Sequence, residues 1–269
     1  MLLEAKNGTV KTGNTDMDFI SFGRGKESLI MLPGLGDGLQ TVKGKALIMA
    51  MLFREYGKHY RVYVFSRKNK LEKNDSIQNM AKDQWEAMKK LGIHKAHIIG
   101  ISQGGMIAQC LTINYPDTVN KLVLAVSLSR QNEMTKGVIS SWIKMAKAND
   151  TRSLLMDVME KSYTEKYKKR YKPFYPILGR ISRPKDFNRF IIQANAILQH
   201  NAYEELEKIK SETLIVGAGK DEIVGMNASR EMAEKIAGSK LVIYESFGHG
   251  VYEEAKDFHK RVLEFLRAK

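Results

Sequence analysis

Three residues of this sequence, Ser102, Asp221 and His249, combine the side-chain types and the chain order of a nucleophile, a carboxylate and a general base. Ser102 lies in Ile98-Ile99-Gly100-Ile101-Ser102-Gln103-Gly104-Gly105, which contains the pattern Gly-x-Ser-x-Gly. That pattern suits a sharp strand-to-helix turn with one serine exposed at the bend and glycines giving it room. A serine hydroxyl is a poor nucleophile at neutral pH. It needs a base, usually imidazole, and a carboxylate that holds the imidazole in the correct tautomer. With this kind of elbow the partners follow in the order Ser, Asp or Glu, His, each in a loop after a strand. Asp221 fits that place in Leu214-Ile215-Val216-Gly217-Ala218-Gly219-Lys220-Asp221-Glu222, where an apolar run gives way to glycines. Its spacing from the strand end favours it over the adjacent Glu222, although a solvent-facing turn aspartate is the plainer reading. There are six histidines, and only His249 stands just after a late strand, between glycines, where a helix opens. His97 falls inside the strand before Ser102, and His259 on the surface pattern of the last helix.

Acyl transfer to such a serine builds negative charge on the substrate carbonyl oxygen, which two fixed backbone N–H groups can hold. One donor is expected to be Gln103, directly after the serine. The other is expected in Pro33-Gly34-Leu35-Gly36-Asp37-Gly38, after the apolar run Ile30-Met31-Leu32, and is assigned to Leu35. A phosphate-binding loop would require a Lys-Ser/Thr ending that this segment lacks.

These residues need a sheet to carry them. Strand patterns are expected at 2–5 and 10–12, joined by a hairpin turn at Asn7-Gly8, and then at 17–22, 27–32, 61–65, 96–99, 121–126, 213–216 and 241–244. Helical periodicity falls at 44–54, on Leu47, Ile48, Met51 and Leu52, and at 77–91, on Ile77, Met80, Ala81, Trp85, Met88 and Leu91. It continues after Ser102 to Asn114, and returns at 227–237 and 252–267. Such alternation argues for a parallel sheet covered on both faces. It stops between 128 and about 206, where helical patterns at 138–148, 154–160 and 187–198 surround a break at Lys172-Pro173-Phe174-Tyr175-Pro176. This stretch reads as a helical insertion between two strands of one sheet. Core segments 1–127 and 207–269 then flank an insertion at 128–206.

At 269 residues, with 43% hydrophobic residues and a mean hydropathy of −0.35, the chain has the composition of a soluble globular protein. No apolar run is long enough for a membrane span, and the N-terminus lacks a signal-peptide pattern. The single Cys110 cannot form an intrachain disulfide and reads as packing in the helix after Ser102. Together these favour a cytoplasmic protein. The net charge is +14. Residues 128–200 carry fifteen basic side chains against six acidic ones, a net of +9. No nucleic-acid-binding signature accompanies the charge, so no nucleic-acid partner is expected. The basic stretch, including Lys168-Lys169-Arg170, is either solubilising surface or a lid that favours anionic or amphiphilic substrates. No metal-ligand spacing or cofactor fingerprint is present, and no metal or cofactor is expected.

Taken together, the chain resembles the α/β-hydrolase superfamily over nearly its full length. Leu32-Pro33-Gly34-Leu35-Gly36 resembles the family's His-Gly-x-Gly segment, with Pro33 where histidine is common. Gly100-Ile101-Ser102-Gln103-Gly104-Gly105 matches the family elbow, and Asn114-Tyr115-Pro116-Asp117 is similar to the family's lead-in to the next strand. Phe65-Ser66-Arg67-Lys68-Asn69 departs from the frequent Asp-x-Arg-Gly-x-Gly loop. Within the superfamily the chain is most similar to small bacterial esterases, lactonases and C–C-bond hydrolases. The resemblance implies an α/β fold: a mostly parallel eight-stranded sheet, helices on both faces and a helical cap after the sixth strand. It implies a serine hydrolase acting on an ester, thioester or lactone, with a small acyl substrate as its partner. An acyltransferase or C–C-bond lyase using the same site, and a ligand-binding receptor with an idle triad, are the alternatives.

Overall fold

The computed structural model describes residues 4–171 and 184–268. The proline-containing break at Lys172–Pro176 and the first two residues of the expected strand at 2–5 lie outside the described residues. Eight strands form one sheet: β1 Lys6–Thr12, β2 Thr15–Phe22, β3 Ser28–Leu32, β4 Arg61–Lys68, β5 Ala96–Ile101, β6 Val119–Ala125, β7 Glu212–Ala218 and β8 Lys240–Tyr244. Their order is β1-β2-β4-β3-β5-β6-β7-β8. The β1–β2 and β2–β4 pairs are antiparallel and the others parallel. The central strands are apolar on both faces, as a sheet covered on both sides requires. Successive residues alternate between two cores: Ile30, Leu32, Ile98, Leu122 and Leu124 pack into one, while Leu29, Met31, Ile99, Val123 and Ala125 pack into the other.

The first core is covered by α3 Ile77–Lys90, α4 Gln103–Asn114 and α9 Met226–Lys235, and the second by α1 Ala46–Leu52 and α11 Phe258–Arg267. The short α2 Arg54–Gly57 follows α1, and α10 Val251–Glu254 precedes α11. Between β6 and β7 the chain makes a helical excursion. It comprises α5 Glu133–Lys147, α6 Thr151–Ser162, α7 Glu165–Tyr171 and α8 Asn188–Leu198. Asn132 and Asp150 start α5 and α6 by accepting from the N–H groups of Thr135 (2.8 Å) and Ser153 (3.0 Å). The excursion leaves and rejoins the sheet at one neck, where Arg130 bridges Asn201 and Ala202 N–H donates to Ser129 O at 2.7 Å. Among the described residues no helix is long and apolar enough to cross a membrane.

Four local expectations are corrected. Asn7-Gly8 is not a turn but part of β1, and the turn falls at Gly13, whose φ is +58°. The Asn7 side chain is held in the strand because its Oδ1 accepts from Gly44 N–H at 2.8 Å, and Gly8 leaves room for the Phe19 ring. The expected final helix is two helices, broken at Ala255, whose extended backbone buries its side chain in the second core. Helix α1 is turned around. Its small residues Ala46 and Ala50 face the core, while Leu47, Ile48, Met51 and Leu52 point outward. His259 is also not a surface residue of α11: its ring is partly buried and bonded to Tyr56 Oη at 3.0 Å.

Candidate active site

Ser102 stands at the carboxyl end of β5, between that strand and α4, with φ 53° and ψ −119°. This is a strained conformation for a non-glycine residue, worth on the order of 1–3 kcal/mol. Packing enforces it. Ser102 N–H donates to Ala125 O at 2.9 Å, and Ser102 O accepts from Ser127 Oγ at 2.8 Å. A β-carbon at Gly104 would collide with the carbonyl oxygen of Leu32, so only glycine lets α4 start this close to β3.

Asp221 follows β7 and is 5% exposed. Its Oδ1 accepts from the N–H groups of Ile223 (2.8 Å) and Val224 (2.9 Å), and its Oδ2 meets His249 Nδ1 at 2.8 Å. Burial pushes this carboxyl up. The charge and hydrogen bond of the His249 imidazole, with the two N–H groups, outweigh burial and hold it below the usual carboxylate range. His249 lies in the loop between β8 and α10 and is 7% exposed. The neighbouring Gly250 N–H donates to Ser162 O at 2.7 Å, which docks the end of α6 on the loop. Glu222 is exposed, and the carboxylate bonded to His249 is that of Asp221. The structure therefore brings Asp221 and His249 together, at the same strand ends as Ser102. Among the described residues, Ser102 Oγ makes no hydrogen bond to His249; catalytic hydrogen bonds of this kind often tighten only in the reacting complex.

Leu35 and Gln103 are each the first residue of a helical turn, Leu35 of the 3₁₀ turn Leu35–Gly38 and Gln103 of α4. First-turn N–H groups have no partner within their own helix. The turn preceding Leu35 lies beside the serine, since a β-carbon at Gly34 would sit 3.3 Å from Ser102 Cβ.

The sequence reading missed a buried polar network behind these two turns. Asp37, 4% exposed, accepts at Oδ2 from Arg67 N–H (3.1 Å), Arg189 Nη2 (2.8 Å) and Gln193 Nε2 (3.3 Å). Arg67, 1% exposed, donates to Pro33 O and to Gln103 Oε1 (3.1 Å). Gln103 Nε2 in turn donates to Gln193 O at 3.0 Å. Burial pushes the Arg67 guanidinium down to about 10, against the pull of Asp37, so it stays charged at neutral pH. Arg189 and Gln193 belong to α8, so the excursion is bonded to both turns. Gly38 lets the backbones meet: a β-carbon there would lie 2.7 Å from Phe190 Cα. The one sequence hint was Arg67, retained in a loop that otherwise departs from the family pattern.

Within the basic stretch, Lys168 is ion-paired with Glu160 and Glu165, while Lys169 and Arg170 are exposed. A polar cleft of about 390 Å³, lined by Glu27, His59, His97 and Lys121, opens at the amino ends of the strands, away from Ser102. Among the described residues no cluster of His, Cys, Asp or Glu is placed to hold a metal ion.

The profile of the family described as "alpha/beta hydrolase fold" matches residues 27–256. The chain is 27% identical over 264 residues to the 2-hydroxy-6-oxononadienedioate/2-hydroxy-6-oxononatrienedioate hydrolase of Escherichia coli O139:H28, covering 92% of this chain and 90% of that protein. MGS-M2, an alpha/beta hydrolase enzyme from a Medee basin deep-sea metagenome library, superposes with a TM-score of 0.87 at 19% identity, covering 97% of this chain and 98% of that one. The enol-lactonase from Burkholderia xenovorans LB400 does so with a TM-score of 0.82 at 20% identity, covering 97% and 100%. At such identities the structural likenesses speak for the fold. With the profile spanning most of the sheet and its elbow, the chain belongs to the alpha/beta hydrolase fold family.

Proposed function

We propose that this chain is a serine hydrolase that cleaves a carboxylic ester, thioester or lactone through an acyl-enzyme. The observation that carries this reading is the 2.8 Å Asp221–His249 pair on the same strand ends as the strained Ser102. Asp221 Oδ2, accepting from the Nδ1–H of His249, fixes the imidazole with its Nε2 lone pair free. His249 takes the Ser102 proton as Oγ attacks the substrate carbonyl. The oxyanion is held by the N–H groups of Leu35 and Gln103, each worth about 2.7–4 kcal/mol. The imidazolium then protonates the departing alcohol or thiol, leaving the acyl group on Oγ. Water, losing a proton to His249, attacks the acyl carbon; the acyl–Oγ bond breaks, the imidazolium returns that proton to Ser102 Oγ, and the acid leaves and ionises to the carboxylate. The excursion at 128–206 acts as the cap over this site and shapes its selectivity. Small acyl compounds are the substrates, with anionic or amphiphilic ones favoured if the exposed bases of the cap face the mouth.

A second reading, hydrolysis of a carbon–carbon bond at the same site, is favoured by the Escherichia coli relative, whose named substrates are 2-hydroxy-6-oxo dioates. Such a compound carries no ester, so its hydrolysis must break a carbon–carbon bond. A panel of p-nitrophenyl esters of increasing acyl length, with lactones, thioesters and a 2-hydroxy-6-oxo dienoate, separates the two. Ester turnover together with fluorophosphonate labelling of Ser102 supports the first reading. Turnover of the dienoate alone supports the second, and no labelling at Ser102 overturns both.

A further inference from the structure

Helix α1 reads Ala-Leu-Ile-Met-Ala-Met-Leu and is inverted relative to an ordinary amphipathic surface helix. Leu47, Ile48, Met51 and Leu52 are 49%, 62%, 61% and 66% exposed, while Ala46 and Ala50 are buried. The spacing i, i+1, i+4, i+5 gathers the four large side chains into one outward stripe. Isolated exposed apolar residues need no explanation, but a contiguous patch marks an interaction surface.

The chain that flanks the stripe on either side is basic. Lys43 precedes it, and Arg54 and Lys58 follow it, all exposed. The one acid between positions 43 and 58 is Glu55, which bridges Lys58 at 2.7 Å and Arg54 at 3.4 Å. Lys45 is half-buried, and burial lowers its affinity for a proton. A partner must therefore offer an apolar interior behind a negative rim. A second copy of this chain offers the opposite rim, because two chains of net charge +14 would bring like charges together around the stripe. An anionic bilayer supplies both properties. Its lipids attract Lys and Arg at the headgroup level, and its acyl boundary accepts side chains to a depth of about 5–10 Å. The helix is seven residues, about 10 Å, which suits lying in that boundary and not spanning it.

We propose that the outward face of α1 docks this protein on an anionic phospholipid surface, with Leu47, Ile48, Met51 and Leu52 inserted and Lys43, Arg54 and Lys58 at the headgroups. The docking stands independently of the chemistry proposed for Ser102, and its test uses no substrate.

The test is co-sedimentation of the full-length protein with vesicles of phosphatidylcholine alone or with one-third phosphatidylglycerol. Wild type should pellet with the mixed vesicles and much less with phosphatidylcholine. The triple variant Ile48→Ser, Met51→Ser, Leu52→Ser should bind on the order of 100-fold more weakly, and the double variant Lys43→Gln, Arg54→Gln should lose most of the preference for phosphatidylglycerol. All substituted side chains point outward, and an unchanged Tm confirms that the fold is kept. Failure of wild type to bind mixed vesicles overturns the proposal. So does equal binding by the triple variant, which would assign binding to the general positive charge. Sedimentation of wild type as a dimer and the triple variant as a monomer would give the face to a second copy, and likewise overturn it.

Discussion

Ser102 is held by hydrogen bonds to its backbone, so removing its hydroxyl should leave the elbow standing. Ser102→Ala is expected to lower kcat by 10³-fold or more, with the Tm within about two degrees of wild type. Retention of more than about one per cent of kcat would point to another nucleophile. The two adjacent carboxylates make a sharper comparison. Asp221 is buried and bonded at both oxygens, whereas Glu222 is exposed. Asp221→Asn should therefore reduce kcat by roughly 10³–10⁴-fold by stabilising the wrong imidazole tautomer, with Glu222→Gln nearly neutral. Equal steady-state effects would show that the wrong carboxylate was chosen. The three residues of this candidate site stand out in the sequence because each sits in its own local setting: a glycine-flanked serine after an apolar run, an aspartate past a strand end, a histidine between glycines. The Asp37 network was not legible. Its bonds join residues 30 and 152 positions apart, and nothing local marks Asp37 as the point where Arg67 and Arg189 converge.

At the scale of elements, the network makes α8 and the turn at Leu35–Gly38 move together. The Asp37 side chain is fully buried and Arg189 is 18% exposed, so loss of Arg189 removes the guanidinium ion-paired directly with a buried carboxylate and leaves it to the nearby charge of Arg67. Arg189→Met should destabilise the protein by about 3–5 kcal/mol, read as a lower urea midpoint. It should also lower kcat more than it raises KM, because the turn carrying Leu35 loses its backing. Adding Asp37→Asn to Arg189→Met should recover a good part of the stability, and a double-mutant cycle that is simply additive would dismiss the coupling. Elements were readable from sequence where pattern alone decides, as in β5 and α3. They were misread where tertiary contact decides. Periodicity located the stripe of α1 but could not say which side the sheet would cover. The turn of the β1–β2 hairpin went to Gly13 because Asn7 is engaged by Gly44. Ala255 interrupts the final helix because a core position needs it.

For the whole molecule, buried histidines are expected to cost stability in acid. His200 is 2% exposed near the neck, and burial pushes its imidazole down to about 4 from 6.5. The unfolded chain takes up that proton first, so this contribution is complete above pH 6.5 and is lost as pH falls toward about 4. The slope is about 1.4 kcal/mol per pH unit, and burial lowers His97 and His259 in the same direction. Asp221, held below 3.8, adds a loss only at still lower pH. Urea midpoints across pH 4–7 should show the decline, and His200→Gln should flatten it; an unchanged slope would acquit His200. The neck itself, Ser129 to Ala202, bears on how such a protein diversifies. A segment whose two ends are already tied together can change length at little entropic penalty, about 0.6 kcal/mol per doubling. The neck is thus a natural graft point, where one excursion can be exchanged for another while the sheet keeps its register. The exchange has one condition written into the receiving half of the molecule: an incoming segment without an equivalent of Arg189 leaves the buried Asp37 carboxylate to the charge of Arg67, without its ion pair.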